Sequence, residues 1–345
     1  MERNEVIEKY LPPRVIDAIS AGFNLITKHL YLLLFPLSLD LFLWLGPKLR
    51  IVKLVEANLI QWFDFSEKYF SQNTNSVMIE SAKNQILEFL HSFNLFSALN
   101  TFPIGVPTLI NNTTVIFNND MGNIELKSFW TFLLLVIGLS LAGLIFGIIF
   151  FRETSKTVMT TDQTTSPHHY SIIHQGINVL ALVIILGCIL FALFFILLFF
   201  TSIISLISVT LGQLLLMTGL VALAWIAIPA FYCCHDIFLH NQIFYKSFIR
   251  AYQIMGFHYR YQISGREMLF IFPKSIVFTM TALILYQGLN LVWRIPDPSS
   301  WLTLVGIVGH AFISSALLSA SFIYFNQLDT WQLQILDARR QSPVK

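Results

Sequence analysis

Residues 177–232, INVLALVIILGCILFALFFILLFFTSIISLISVTLGQLLLMTGLVALAWIAIPAFY, are almost wholly apolar, and no Asp, Glu, Lys or Arg occurs between Asp162 and Asp236. As a single helix this run would be about 84 Å long, at a rise of about 1.5 Å per residue. A bilayer's hydrocarbon core is only about 30 Å thick, so the run must cross it, turn and cross back. The turn is expected in the Ser/Thr-bearing stretch Thr201–Ser208. A soluble domain has no use for so much uncharged surface. Lipid is the solvent for this part of the chain.

Composition agrees. Of 345 residues, 55% are hydrophobic and 12% charged, whereas roughly a quarter of a soluble domain is charged. The 32 Phe residues point the same way, because Phe is among the cheapest residues to place in lipid. A net charge of +2 is too small to imply a nucleic-acid partner held by phosphate neutralisation. Cys188, Cys233 and Cys234 lie in or at the ends of apolar runs, so no disulfide framework is expected. The start of the chain carries Glu2, Arg3, Glu5, Glu8, Lys9, Arg14 and Asp17. That is too charged for a signal-peptide core, so the first span is expected to stay uncleaved.

Hydropathy predicts six spans, at about 29–46, 129–151, 176–200, 210–233, 269–292 and 301–325. The first contains Pro36 and Asp40. Basic residues set the orientation. Arg3, Lys9, Arg14, Lys28, Arg152, Lys156, Lys246, Arg250, Arg260, Arg266, Lys274, Arg339, Arg340 and Lys345 fall on one side. The other side has Arg294, plus six Lys and Arg within residues 47–128, a stretch long enough to be exempt from the charge rule. The expected architecture is therefore all-α, with six transmembrane helices in a cell membrane and both termini cytoplasmic.

Within it, 1–46 is an inner interfacial helix and first span, and 47–128 an extracytoplasmic helical cap. Residues 129–326 form a five-span membrane domain with an inner interfacial helix near 237–257, and 327–345 an inner tail. In the cap, Val52, Val55, Leu59 and Phe63 share one helical face, and Met78, Ala82, Ile86, Phe89 and Phe93 another. Ser71–Ser76 reads as the turn between them. The stretch 99–128 reads as loop, with Val106–Ile110 and Thr113–Phe117 as arms of a small hairpin. Residues 14–28, with Ile16, Ile19, Phe23 and Ile26 in one stripe, and 237–257, with Phe238, Phe244 and Phe248 opposite Lys246 and Arg250, have the pattern of helices lying in the headgroup plane. Ordinary inter-span connectors would show it too. The same order of interfacial helix, polar break and Pro-bearing span occurs in both places, a faint internal repeat.

The segment IPAFYCCHDIFLHNQIFYKSFIRAYQIM and the ending SWLTLVGIVGHAFISSALLSASFIYFNQLDTW resemble a group of bacterial multi-pass proteins. These are the membrane domain found beside glycerophosphodiester phosphodiesterases and its stand-alone relatives. The likeness covers about residues 170–335. It implies a helical membrane domain without known chemistry; the 47–128 insertion departs from that pattern.

Among intramembrane polar groups Asp40 stands out. A carboxylate near mid-span costs about 2.5–3.5 kcal/mol on insertion scales, so it needs a partner or a water-filled path. It is either a proton or cation site, or a carboxylate paired with an outer-end group such as Arg294. Asn290, Gln287, Gln213 and His310 are read as hydrogen-bonding glue between helices, and Lys274 as snorkelling. Asp236 and His240 lie four apart, beside His168, His169, His174, His235 and the Cys pair. A zinc site needs three or four ligands at fixed geometry, and no CxxC or HExxH spacing supplies them. Glu88-x-x-His91 is too short a signal for metal or acid–base work, and the two overlapping glycosylation sequons at Asn111–Thr114 would be inert in a bacterial chain. No metal, cofactor or catalytic set is expected. The sequence thus favours a non-enzymatic membrane-organising protein that binds lipid or a membrane or extracytoplasmic protein partner. A small permease using Asp40 and a membrane-embedded enzyme are the alternatives.

Overall fold

The computed structural model describes residues 13–70, 76–101, 103–110, 123–162, 171–254, 265–293 and 300–341. Helix α1, Val15–Lys28, carries Asp17 in its first turn and Lys28 in its last, charges placed to complement the helix dipole. At His29 the backbone leaves helical geometry, and a 3-10 turn, Leu30–Leu33, leads into α2, Leu34–Leu45. The two arms of this pair meet at 94°. The break puts Pro36 in the first turn of α2, where its missing N–H leaves no helix bond unmade. Gly46 and Pro47 stop the helix.

A short strand β1, Lys48–Arg50, pairs in parallel with β2, Asn123–Glu125, with Leu49 opposite Ile124. Helices α3, Val52–Phe70, and α4, Ser76–Ser92, run between them. Lys83 pairs with Asp64 at 3.0 Å and His91 with Glu56 at 3.8 Å, closing α3 onto α4. A 3-10 turn, Leu95–Leu99, begins at Asn94, whose side chain accepts from the N–H groups of Phe96 and Leu49.

The remaining helices are α5, Phe129–Asp162, α6, Ile172–Ile207, α7, Val209–His240, α8, Phe244–Ile254, α9, Gly265–Trp293, and α10, Leu302–Gln341. Four of them are long and apolar enough to cross a membrane, over Phe129–Thr160, Ile172–Ile207, Val209–His240 and Leu302–Gln334. The bent α1–α2 pair makes a fifth if it counts as one span. In α9 the apolar stretch Val277–Trp293 is shorter than a span among the described residues. The expected turn within Thr201–Ser208 narrows to Ser208, which caps α7 by accepting from the Leu211 N–H.

Burial divides these helices by role. Only 11% of the most apolar window of α6 is buried inside the protein, against 67% for α10. Helix α6 is apolar on every side, so it offers hydrocarbon-like surface all round. Helix α10 is the central post. Against it packs α1, with Gly22 facing the backbone of Ala316 and Ala320, and Phe23 on Phe312. A small residue here lets two backbones meet closely. The stripe predicted to face headgroups is accordingly divided: Ile19 and Ile26 are buried, Ile16 is exposed. Helical spacing alone does not distinguish lipid from a protein neighbour. The expected C-terminal tail continues α10 as helix to Gln341, with Leu328 and Trp331 buried.

The largest departure from the sequence reading is the stretch expected as a cap loop. Residues 103–110 are not projecting; Ile104, Val106, Leu109 and Ile110 join the same core as Leu39, Leu43, Leu144 and Ile307. Gly143 and Gly147 of α5 admit the backbone of Leu99 and Gly105. Among the expected hairpin arms, Val106–Ile110 is not a strand, and Thr113–Phe117 lies outside the described residues.

Candidate functional site

Burying the non-helical segment 103–110 raises a hydrogen-bonding question, because its backbone N–H groups have no helix to pair with. Such backbone is tolerated at membrane depth only where protein satisfies it or where it lines a cavity. Asp40, fully buried on α2, answers it. Its Oδ1 accepts from the N–H of Leu109 at 2.8 Å and of Ile110 at 3.2 Å. Its Oδ2 lies 3.2 Å from Nδ1 of His310 on α10, also fully buried. Three donors thus converge on one carboxylate, from segments that are far apart in sequence. The expected alternative partner Arg294 lies outside the described residues.

The imidazole continues the chain. Nδ1 faces the carboxylate, and on the far side of the ring the Tyr286 hydroxyl on α9 stands 3.4 Å from Nε2. Asp40, His310 and Tyr286 therefore connect α2, α10 and α9 through polar contacts alone. Of the three intramembrane candidates, Asp40 and His310 come together. Asn290 is buried on α9, its Oδ1 without a partner among the described residues. Gln213 and Gln287 are exposed on the outside of their helices.

Tyr286 also lines a cavity of about 660 Å³. Its walls are α7, through Ile228, Phe231 and Tyr232, and α9 and α10, with the segment 100–107 at one side. The volume falls within the range of about 300–1,000 Å³ typical of small-ligand sites. The lining is apolar apart from hydroxyls and the Asn100 amide, and no Asp, Glu, Lys, Arg or His belongs to it among the described residues. Beside it, His235 packs at a centroid distance of 4.1 Å from Phe322 and reaches Ser321 Oγ through Nε2 at 2.7 Å. Nothing in the sequence flagged Tyr286 or Ser321. The spacing of Ser314 and Ser321 on one face of α10 was the available signal.

The polar cluster at the other end of α7 is an ion-pair knot. Asp236, fully buried, lies 2.8 Å from His240 Nδ1 and 3.3 Å from Arg250 Nη1. Arg250 also binds Asp329 twice, at 3.1 and 2.6 Å, the fork geometry suited to carboxylates. The four-residue spacing thus joins Asp236 to His240 within one helix, and a guanidinium sits beside both carboxylates where a metal ion would need open ligands. No group of three or more His, Cys, Asp or Glu side chains able to hold a metal occurs among the described residues. His174 instead contacts Asn241 at 3.1 Å, and His168 and His169 lie outside them. Cys233 and Cys234 are buried free thiols facing the carbonyls of Phe244 and Ala230.

These features define an all-α protein with apolar helices of membrane-crossing length and an open, mostly apolar cavity between α7, α9 and α10. No protein-family model matches the chain, and neither a curated protein nor a solved structure does.

Proposed function

We propose that this is a multi-pass protein of the cell membrane, with six spans and cytoplasmic termini, that binds bilayer lipid non-enzymatically. The cavity between α7, α9 and α10 carries the reading: it is apolar, uncharged, of ligand size and walled by helices whose outer surfaces suit hydrocarbon. The resemblance of residues 170–335 to the membrane domain beside glycerophosphodiester phosphodiesterases agrees with a lipid-facing role without chemistry of its own. Native mass spectrometry of the full chain released from mild detergent tests it. A retained lipid is expected, and Ala282→Trp, which fills the cavity, should remove it. A lipid-free parent, or equal retention by the variant, refutes the reading. A tag after Lys345 reachable only from outside the cell would overturn the orientation.

Partner binding has separate support in the cap, where Trp62, Phe65, Ile86 and Phe89 are exposed. Deleting residues 49–98 should then release a co-purifying protein; a chain that purifies alone with the cap intact counts against it. The permease alternative rests on Asp40. Both its oxygens are engaged by N–H donors, which favours a structural tie. Proton-coupled uptake lost in Asp40→Asn vesicles would reverse that preference.

A further inference from the structure

Several of the cavity's polar groups share one property: their protons already point elsewhere. Ser314 Oγ donates to the His310 carbonyl at 2.8 Å. Thr101 Oγ1 donates to the Ile104 carbonyl. Ser321 Oγ lies 2.7 Å from both the Leu318 carbonyl and His235 Nε2; whichever takes its single proton, the oxygen keeps a lone pair. The Tyr286 hydroxyl stands 3.4 Å from His310 Nε2, whose ring faces Asp40 through Nδ1. Pro103 and Pro107, also in the wall, have no N–H to offer. Ser314, Thr101 and Ser321 therefore turn acceptor capacity toward the cavity, and the Tyr232, Thr279 and Tyr286 hydroxyls and the Asn100 amide, which donates to Thr108 at 3.4 Å, add groups that can both donate and accept.

We infer that the cavity selects an uncharged amphiphile headed by a hydroxyl, drawn from the surrounding bilayer, which donates its own proton to these oxygens. This rests on the lipid-binding reading above and adds the chemistry of the head. A carboxylate or phosphate head would find no cation in the described lining to neutralise it, and a buried charge without a partner is heavily penalised. An ammonium head has donors, but Asp40 is turned away behind His310 and no carboxylate lines the wall. A plain alkane fills the space and makes no hydrogen bond. A long-chain alcohol or an acylglycerol satisfies both the apolar wall and the acceptors.

The test is binding of tritiated 1-hexadecanol to the full-length chain in detergent micelles, competed with hexadecane, hexadecanoate and hexadecylamine. Hexadecanol is expected to bind about threefold to tenfold more tightly than hexadecane, the worth of one net hydrogen bond. Hexadecanoate and hexadecylamine should each bind more weakly than the alcohol. Ser314→Ala and Ser321→Ala should move the alcohol-to-alkane ratio toward one while hexadecane affinity holds. That unchanged alkane affinity reports an intact cavity in each variant. Hexadecanoate or hexadecylamine matching the alcohol overturns the inference, as does a ratio that neither serine variant alters. Equal binding of alcohol and alkane overturns it while leaving lipid binding standing. No saturable binding of any probe removes both.

Discussion

Replacing Asp40 by Leu is the most informative single perturbation of this molecule. The change leaves three buried N–H groups, on Leu109, Ile110 and His310, without the acceptor they share. Each orphaned donor costs about 1–3 kcal/mol. Against this stands relief from holding a carboxylate in the apolar interior, about 2.5–3.5 kcal/mol on insertion scales. Taking about 2 kcal/mol per donor and about 3 for the carboxylate, the net loss expected is about 3 kcal/mol, at the lower end of what removing one partner from a buried polar set usually costs. That is a large share of a typical stability of about 5–15 kcal/mol. Asp40→Asn keeps an acceptor for the two backbone N–H groups but turns an amide toward His310, so a smaller loss of about 1–3 kcal/mol is expected. The chain carries its own reporter. Cys233 and Cys234 are buried and Cys188 exposed, so in a Cys188→Ser background a thiol-reactive fluorophore reports unfolding on heating. Hydrogen exchange at the Leu109 and Ile110 amides should quicken in the same order, wild type, Asn, Leu. Both variants melting with the wild type, with those amides still protected, would show that Asp40 is not the tie that seats the 103–110 segment.

Further outcomes follow from the packing and the charges. Arg250→Met leaves Asp236 and Asp329 buried without their guanidinium and should cost about 3–5 kcal/mol in the same melting assay; adding Asp329→Asn should restore part of it, and simple additivity of the two losses would refute the coupling. Gly22→Leu places a side chain into the backbone of Ala316 and Ala320, whereas Gly138→Leu meets open space; the first should lose folded yield and the second keep it, and equal yields would mean α1 does not seat on α10. Lys48, held below the ordinary lysine range by burial and then by Arg50, binds its proton less readily folded than unfolded. Stability should therefore rise with pH between the lowered value and the ordinary one. Lys48→Met should be the more stable at neutral pH and lack that rise; parallel pH profiles in denaturant titrations would rule this out.

The sequence by itself determined the solvent of this protein and its helical class. Hydropathy is a property of local composition, and a run such as Ile177–Tyr232 without one Asp, Glu, Lys or Arg admits few other structures. The paired helices α6 and α7 and their break near Ser208 were legible for that reason, and so was the isolation of Asp40 as a group needing an explanation. Which partner it has was not legible. His310 follows it by 270 positions, and the other two donors are backbone amides that carry no residue signature at all. The burial of 103–110 was missed on similar grounds: Pro, Gly and polar neighbours mark the absence of regular structure equally well outside a bundle and inside it. Only the close approach allowed by Gly143 and Gly147, together with a carboxylate able to cap freed amides, decides which. The cavity is likewise a gap between helices, made by tertiary packing, and composition has no term for the space that side chains leave empty.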